Sequence, residues 1–315
     1  MPNSKQIHVV AAVIENPNNE ILIAKRPDHV HQGGLWEFPG GKVEDSESTL
    51  HALTREIHEE LDITISNPRP LIQIHHNYPD KSIFLDVFHV SDYTGTAIGK
   101  EGQVIQWVPK NQLAEFNFPA ANQSIITAAQ LPDQYLITPE PDLTQLDQFL
   151  EKLEAKMMDG IRLIQLRAKN LENDKLFQLY QDVKKNAEKH NATVILNAPL
   201  SLAQKFDAQA IHLPSSALLS CESLTKQSML VSASCHNEKE IQKANHLGVD
   251  FIVLSPVKKT LSHPHSKPLG WREFSRLCGL AKMPVYALGG IQINEILMAQ
   301  RNGGQGIAAI RALWQ

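Results

Sequence analysis

Residues 41–63 read GKVEDSESTLHALTREIHEELDI. Within it, Ser48 is an N-cap residue type, because its hydroxyl can accept from a free N–H of the first turn, and the run after it reads as a helix. Leu50, Leu53, Ile57 and Leu61 then recur at helical spacing and give one apolar stripe. Glu56, Glu59 and Glu60 stand at i, i+3 and i+4, so their carboxylates gather beside that stripe. Like charges at these spacings destabilise a helix by about 0.2–0.5 kcal/mol per pair. A helix that collects three of them points to a compensating cation, and hard carboxylate oxygens suit Mg²⁺, with Mn²⁺ as the alternative.

A bare E-x-x-E-E is most often a solvated acidic face. Here Gly41, Glu47 and Arg55 stand at fixed distances before it, and aliphatic Ile57 and Ile63 fall within and after it. The string resembles the Nudix box, G-x5-E-x7-R-E-U-x-E-E-x-G-U with U aliphatic, at every specified position but one. Asp62 replaces the glycine at the helix C-terminus. Asp can enter the left-handed conformation needed there, at some cost, so the change is expected to be tolerated. The resemblance implies metal-assisted hydrolysis of a phosphoanhydride. Glu56, Glu59 and Glu60 would hold the metal, with the Gly40 and Gly41 carbonyls as further hard ligands. Arg55 and Glu47 would pair and brace the loop against the helix.

The 315 residues suffice for two domains. Apolar residues make up 42% and charged ones 20%, enough for buried cores. A formal net charge of -4 argues against a basic surface that coats a nucleic-acid polymer. The three cysteines, Cys221, Cys235 and Cys278, are odd in number and widely spaced. They make neither a disulfide framework nor a zinc pattern and fit a cytoplasmic protein. No apolar run is long enough to span a membrane, and the first ten residues lack a signal-peptide layout.

Working outward from the box, residues 8–14 (HVVAAVI) predict a buried strand and residues 20–24 a returning one. The Asn16-Pro17-Asn18-Asn19 turn between them suggests a hairpin. Lys25-Arg26 ends the second strand. The run Gly33 to Gly41 (GGLWEFPGG) brings paired glycines to the box, where backbone can approach a phosphate or metal closely. Phe38 in that run either stacks on a base or fills the core. Strands are expected at 68–75, 82–90 and 104–108. A turn follows at Tyr78-Pro79-Asp80, a polar loop at 97–103, and a helix from about 116 to 130. Strands mixed with two helices suit an α/β/α sandwich with a mixed sheet.

Four further segments narrow the resemblance to the MutT-type 8-oxo-dGTP diphosphatases over residues 1–130. They are Lys25-Arg26, Tyr78-Pro79-Asp80, Lys100-Glu101-Gly102-Gln103 and Phe118-Pro119-Ala120-Ala121-Asn122. In that family the acid of the K-E-G-Q loop joins the metal and water site, which implies Glu101. The asparagine of the last segment reads the oxidised purine, which implies Asn122. An amide carries donor and acceptor together, so Asn122 could accept from N7–H, present in 8-oxoguanine and absent from guanine, while donating to O6. Arg26, Phe38, Tyr78 and Asp80 match pocket positions. Glu56 and Glu101 both remain open as the general base.

Residues 131–133 form a short linker. From 134 to 315 strands alternate with amphipathic helices, with strands expected at 134–138, 161–167, 193–197, 210–213, 230–234, 250–255, 284–288 and 306–310. This pattern predicts a compact parallel (β/α)8 TIM barrel of about 180 residues against a usual ~250. Only Arg311 to Gln315 remain for the last helix. Leu313 and Trp314 are therefore expected to be exposed and to seek cover from the first domain or from a partner in a homodimer. Gln165, Arg167, Lys169, Asn197, His236, Gly289 and Gly290 fall at strand C-terminal ends, where barrel enzymes keep their sites. The half resembles the thiamine phosphate synthase and TenI superfamily through Q-L-R-A-K at 165–169, S-C-H at 234–236 and L-G-G-I at 288–291. The resemblance implies a thiazole or pyrimidine phosphate as ligand, with His236 as acid/base group if the barrel follows the tautomerases of the TenI branch. Two synthase carboxylates are missing, since Asn197 is followed by Ala198-Pro199 and Leu213 by Pro214-Ser215. Synthase, tautomerase and non-catalytic binding barrel all stay open.

Overall fold

The computed structural model describes residues 6–30, 32–77, 82–224, 229–260 and 267–315. The chain forms two compact units, Met1–Gln130 and Leu131–Gln315. In the first, the elements run β1 (Ile7–Ile14), β2 (Glu20–Lys25), β3 (Trp36–Glu37), α1 (Thr49–Leu61), β4 (Thr64–Ser66), β5 (Arg69–Asn77), β6 (Ser82–Val90), β7 (Asp92–Thr94), β8 (Ile105–Pro109) and α2 (Gln123–Gln130). β1 pairs parallel with β6, and β6 antiparallel with β5, which makes the sheet mixed.

The unbroken apolar run of β1 has a direct structural meaning. Ala11 and Val13 enter one core with Ile125, Ile126 and Ala129 of α2. Val10, Ala12 and Ile14 enter a second core with Leu53, Ile57 and Leu61 of α1. A strand buried on both faces needs no polar alternation. The expected β1–β2 hairpin does not form. Among the described residues an isolated Glu15–Ile21 bridge and the Asn16 N–H on the Glu20 carbonyl at 3.0 Å close the turn, and β2 pairs instead with β3 and β8. The turn residues reverse the chain, but the β1 edge is taken by β6 and by the loop before α1, where Val10 N–H donates to the Gly41 carbonyl at 2.8 Å.

α1 begins as expected, with the Ser48 hydroxyl accepting from His51 N–H at 3.3 Å, a cap worth about 1 kcal/mol. It ends on Asp62 in the left-handed conformation, φ 58°, with its N–H on the His58 carbonyl. One member of the predicted stripe departs. Leu50 is 51% exposed, because it lies in the first turn ahead of the residues that face the sheet, and Ala52 is buried instead.

Glu15 lies at the end of β1 between His89 and Lys110, at 2.7 Å from each. Burial raises its carboxyl pKa, but these two partners outweigh it and hold the value at about 2. A depressed carboxylate stabilises the fold above its unfolded pKa near 4.5 and loses that contribution as pH falls toward 2. Glu15→Gln should therefore flatten the decline in urea midpoint between pH 4.5 and 2, by about 1–2 kcal/mol after discounting for solvent screening.

The second unit is the predicted barrel. Its strands are β9 (Gln134–Ile137), β10 (Leu163–Leu166), β11 (Thr193–Leu196), β12 (Ala210–Leu213), β13 (Leu230–Cys235), β14 (Phe251–Leu254), β15 (Val285–Leu288) and β16 (Gly306–Ala309). They close in order, all parallel, with β16 on β9. The helices α3 (Leu146–Met158), α4 (Asn173–Lys189), α5 (Leu200–Lys205), α6 (Ser215–Ser220), α7 (Glu238–Leu247), α8 (Gly270–Cys278), α9 (Ile296–Arg301) and α10 (Arg311–Trp314) lie in the connections and after β16. Alternation separates the interior residues Tyr135, Ile195, Phe251 and Tyr286 from the larger core beneath the helices.

Two features of the barrel ends differ from expectation. Leu131 to Asp133 are tied into the barrel. Gln305 donates to the Leu131 carbonyl, the Tyr286 hydroxyl to that of Pro132, and Ile307 N–H to that of Asp133. Leu313 and Trp314 are not exposed surface. Leu313 is 3% exposed, and Trp314 packs on Phe149 of α3 at 5.1 Å with Lys152 over its ring. The four-residue α10 suffices because α3 folds across that end, so the surface expected to seek a homodimer contact is covered within the unit. Among the described residues no helix is long and apolar enough to cross a membrane.

Candidate functional site

Arg55 is the hub of the first site. Its guanidinium grips both Glu47 oxygens at 3.0 and 2.9 Å and reaches Glu56 at 2.9 Å and Glu59 at 3.1 Å. It also donates to the Lys42 carbonyl at 3.2 Å. The fork geometry of Arg permits this spread, which an ammonium could not match. Hydrogen bonds from Arg55 hold the Glu47 carboxyl down at about 2. The expected Arg55–Glu47 pair thus fastens the loop before α1 to the helix.

Glu60 lies deeper. Its carboxylate accepts from Gly40 N–H at 3.1 Å. Burial nevertheless pushes its pKa up to about 8, and the charges of Glu37, Glu56 and Glu101 add to that rise. Glu101 reaches the cluster because its loop is stapled to the end of α1. Lys100 N–H and the Gln103 amide both donate to the Glu60 carbonyl at 3.0 Å. Gln103 Oε1 accepts from Glu101 N–H at 2.9 Å, and Lys100 pairs with Asp62 at 2.9 Å. The Asp that replaces the box glycine is therefore itself part of the staple. Gln103→Ala removes two of these bonds. Turnover should fall roughly ten- to hundredfold through misplacement of Glu101. Tm should move little, which a melting curve beside a rate measurement would check.

Gly40 and Gly41 are glycines for different reasons. At Gly40 φ is 148°, and a Cβ would stand 2.1 Å from the Val10 carbonyl oxygen. At Gly41 a Cβ would stand 2.2 Å from the Glu56 carboxylate. The carbonyls of both were expected as hard metal ligands, Gly41 as the first residue of the box and Gly40 just before it. The Gly41 oxygen is already engaged by Val10 N–H, whereas among the described residues that of Gly40 accepts no hydrogen bond. Among the described residues no three His, Cys, Asp or Glu side chains converge as a closed metal ligand set. Arg55 draws Glu56 and Glu59 to itself, so phosphate oxygens and water must complete any coordination shell. A divalent cation nevertheless fits the donors, since hard oxygens surround a carboxyl whose charged form is disfavoured first by burial and then by the neighbouring carboxylates, a cost that a cation would relieve.

Beside this cluster lies a pocket of about 210 Å³ whose walls include Arg26, Glu37, Phe38, Gly40 and Asn122. Asn122 is 9% exposed, and among the described residues its side-chain amide makes no hydrogen bond. A 3-10 turn, Ala120–Asn122, behind Pro119 sets its position. Phe38 is 4% exposed and stacked on Phe118 at 5.3 Å, so it fills the core as well as lining the pocket. Arg26 is paired with Glu37, a carboxylate that sequence reasoning missed. Burial raises the Glu37 carboxyl despite that pairing. Only its place between Trp36 and Phe38, in the run of paired glycines, could have marked it. Tyr78 and Asp80 lie outside the described residues.

The barrel carries a larger cavity of about 890 Å³ at the C-terminal ends of its strands. Gln165, Arg167, Lys169, Asn197, His236, Gly289 and Gly290 all line it. Gly290 has φ 69°, and a Cβ there would lie 2.5 Å from the Lys259 carbonyl oxygen, so glycine lets the loops after β14 and β15 cross. The strand alternation of Gln165, Arg167 and Lys169 suggests three side chains directed outward, but Gln165 is buried. It is 2% exposed, donates to the Tyr135 hydroxyl at 2.9 Å and accepts from Asn197 at 2.8 Å. Arg167 pairs with Glu140 at 3.3 Å. The missed residue is His212, inside β12 and 2% exposed, between the Ser232 and Ser234 hydroxyls at 2.9 and 2.7 Å. Burial, with the charge of Lys169, pushes its pKa down to about 3, so it is neutral. A histidine at an inward position of an apolar strand was the available signal.

Comparison with known proteins divides the chain at the same place. A family profile described as NUDIX domain matches residues 10–128, and one described as thiamine monophosphate synthase matches residues 134–313. An 8-oxo-dGTP diphosphatase of Proteus vulgaris is 40% identical over 102 residues, covering 32% of this chain and 91% of that protein. A CTP pyrophosphohydrolase of Escherichia coli is 37% identical over 124 residues, covering 39% and 91%. An Aquifex aeolicus protein, provisionally called thiamine-phosphate synthase 2, is 34% identical over 182 residues, covering 58% and 97%.

Proposed function

We propose, for a chain that belongs to the NUDIX domain family over residues 10–128 and to the thiamine monophosphate synthase family over residues 134–313, that the first unit is a nucleoside triphosphate diphosphatase. Its preferred substrate is an oxidised purine nucleotide, 8-oxo-dGTP, cleaved by water to 8-oxo-dGMP and pyrophosphate. This would clear the nucleotide pool of a base that causes replication errors. The observation that carries the reading is the single guanidinium of Arg55 spread over Glu47, Glu56 and Glu59, with Glu60 buried beside them.

Glu56, Glu59, Glu60 and Glu101, with the Gly40 carbonyl and the remaining lone pair of Gly41, would hold Mg²⁺ or Mn²⁺. When bound, such a cation neutralises phosphate charge and lowers the pKa of a water. The residues of the chain do the rest. Arg55 and Glu47 keep the loop and helix in register. Glu56 or Glu101 takes the proton of the attacking water on a carboxylate oxygen. Asn122 accepts from N7–H of the oxidised base and donates to O6, with Arg26 and Phe38 beside it. Asn122→Ala should reduce any preference for 8-oxo-dGTP over dGTP to near unity while dGTP turnover stays within a few-fold, as paired kcat/KM measurements would show. Product analysis gives the companion test. Pyrophosphate rather than orthophosphate should appear, and a chelator should stop its release. A second reading, a pyrimidine nucleotide such as CTP as substrate, is favoured by the likeness to the CTP pyrophosphohydrolase.

For the barrel we propose a cavity that binds a phosphate-bearing heterocycle, a thiazole or pyrimidine phosphate, through Arg167, Lys169, Asn197 and the Gly289–Gly290 backbone. Diphosphate displacement does not suit it. Ala198 is buried in the core and Pro199 and Pro214 start helices, so Ala198-Pro199 and Pro214-Ser215 offer no carboxylate at the positions where the resemblance implies synthase ones. Calorimetric titration of both phosphates tests this, and no heat from either would favour a scaffold role.

A further inference from the structure

Two buried polar groups stand behind the β13 wall of the barrel cavity, and neither has a role in what precedes. Glu240, in the first turn of α7, is 7% exposed. One of its oxygens accepts both the backbone N–H of His236 at 2.7 Å and its Nδ1–H at 2.9 Å. The other accepts from the Asn237 amide at 3.2 Å, and the Ser215 hydroxyl also donates to the carboxylate. An ionised carboxylate can only accept, so the proton of a neutral His236 must sit on Nδ1. Nε2 is then left as a lone pair on a side chain that is 45% exposed and lines the cavity. A free imidazole favours the opposite tautomer, so the carboxylate reverses the intrinsic preference.

His212, on the neighbouring strand β12, acts in the same sense on Ser234, two residues before His236. The Ser232 hydroxyl also meets that of Tyr135; with its single proton on the Ile211 carbonyl at 3.1 Å it can only accept from its other partners, so His212 donates to it from Nδ1. Nε2 of His212 must then accept, and the proton it accepts comes from Ser234. Ser234 and His236 share the cavity side, while Cys235 between them is buried in the core beneath the helices.

We propose that Glu240 and His212 are positioning residues that fix the hydrogen-bond polarity of this wall, with both protons directed inward and Ser234 Oγ and His236 Nε2 presented as acceptors. The ligand must therefore bring N–H or O–H donors to the β13 end of the cavity while its anionic group meets Arg167 and Lys169. This rests on reading the cavity as a ligand site, but the tautomers can be measured without a ligand.

Long-range ¹H–¹⁵N spectra of the full chain at a pH alkaline enough for neutral imidazoles, assigned with His212→Gln and His236→Gln, should show both rings protonated on Nδ1. In Glu240→Ala, His236 should revert to Nε2–H. An Nε2–H signal from either histidine in the unsubstituted protein would overturn the assignment. Two pyridinylmethyl phosphates that differ only in an amino or a methyl group on the ring then probe the ligand class by calorimetry. The amino compound should bind about tenfold tighter, as expected for one or two added hydrogen bonds. Equal affinities would overturn the donor requirement alone, and no heat from either would overturn the ligand-site reading with it.

Discussion

Glu56→Gln is expected to reduce nucleotide hydrolysis by the full chain on the order of 10³-fold, since several kcal/mol of charge stabilisation is lost and each 1.36 kcal/mol is a factor of ten. Glutamine has nearly the shape of glutamate, and its carbonyl can still accept from Arg55, which holds Glu56 at 2.9 Å. The fold therefore has little to lose, and stability should stay within ~0.5 kcal/mol, as at other positions outside a packed core. Glu59→Gln should act in the same direction with a smaller loss, because that side chain is 54% exposed. Steady-state rates beside urea midpoints would separate catalysis from folding. Unchanged turnover in Glu56→Gln would remove the acidic helix from the chemistry.

Gly41→Ala is the second large effect. The added methyl would enter the space of the Glu56 carboxylate, 2.2 Å away, and meets no backbone atom first. The far end of a flexible side chain can swing aside, so the conflict is relieved by moving the group the reaction needs. Turnover should fall about a hundredfold, the scale of a 1 Å misplacement, with a near-normal melting temperature. Gly40→Ala should behave oppositely. Its φ of 148° and the Val10 carbonyl at 2.1 Å place the conflict on backbone, so folding should fail first. The two variants together distinguish a glycine kept for the chain from one kept for the site. Loss of stability rather than activity in Gly41→Ala would contradict this division.

Much of this was legible in the sequence because the informative contacts are local. Ser48, the carboxylates of α1 and the left-handed Asp62 all lie within a few turns of one helix, and spacing alone sets their geometry. The barrel strands were legible because parallel strands buried on both faces read as short apolar runs between helices. What escaped depends on partners distant in sequence. The β1–β2 hairpin failed because a turn signal encodes chain reversal and not pairing, and the β1 edge belongs to β6, some seventy residues later in the chain. Leu313 and Trp314 looked exposed because Phe149 and Lys152, which cover Trp314, lie far away in the chain. Glu37 and His212 were missed because each is one polar residue in an apolar segment. Their meaning comes from Arg26 and from two serines on the neighbouring strand.

The preference proposed for the first unit is for an oxidised purine nucleotide over dGTP and CTP. It is tested most directly by kcat/KM of the full chain, with Mg²⁺, for 8-oxo-dGTP, dGTP and CTP under one set of conditions. 8-oxo-dGTP should exceed both of the others by two orders of magnitude or more, about 3 kcal/mol of discrimination from the buried amide of Asn122. Comparable values for 8-oxo-dGTP and dGTP, or a higher value for CTP, would contradict it.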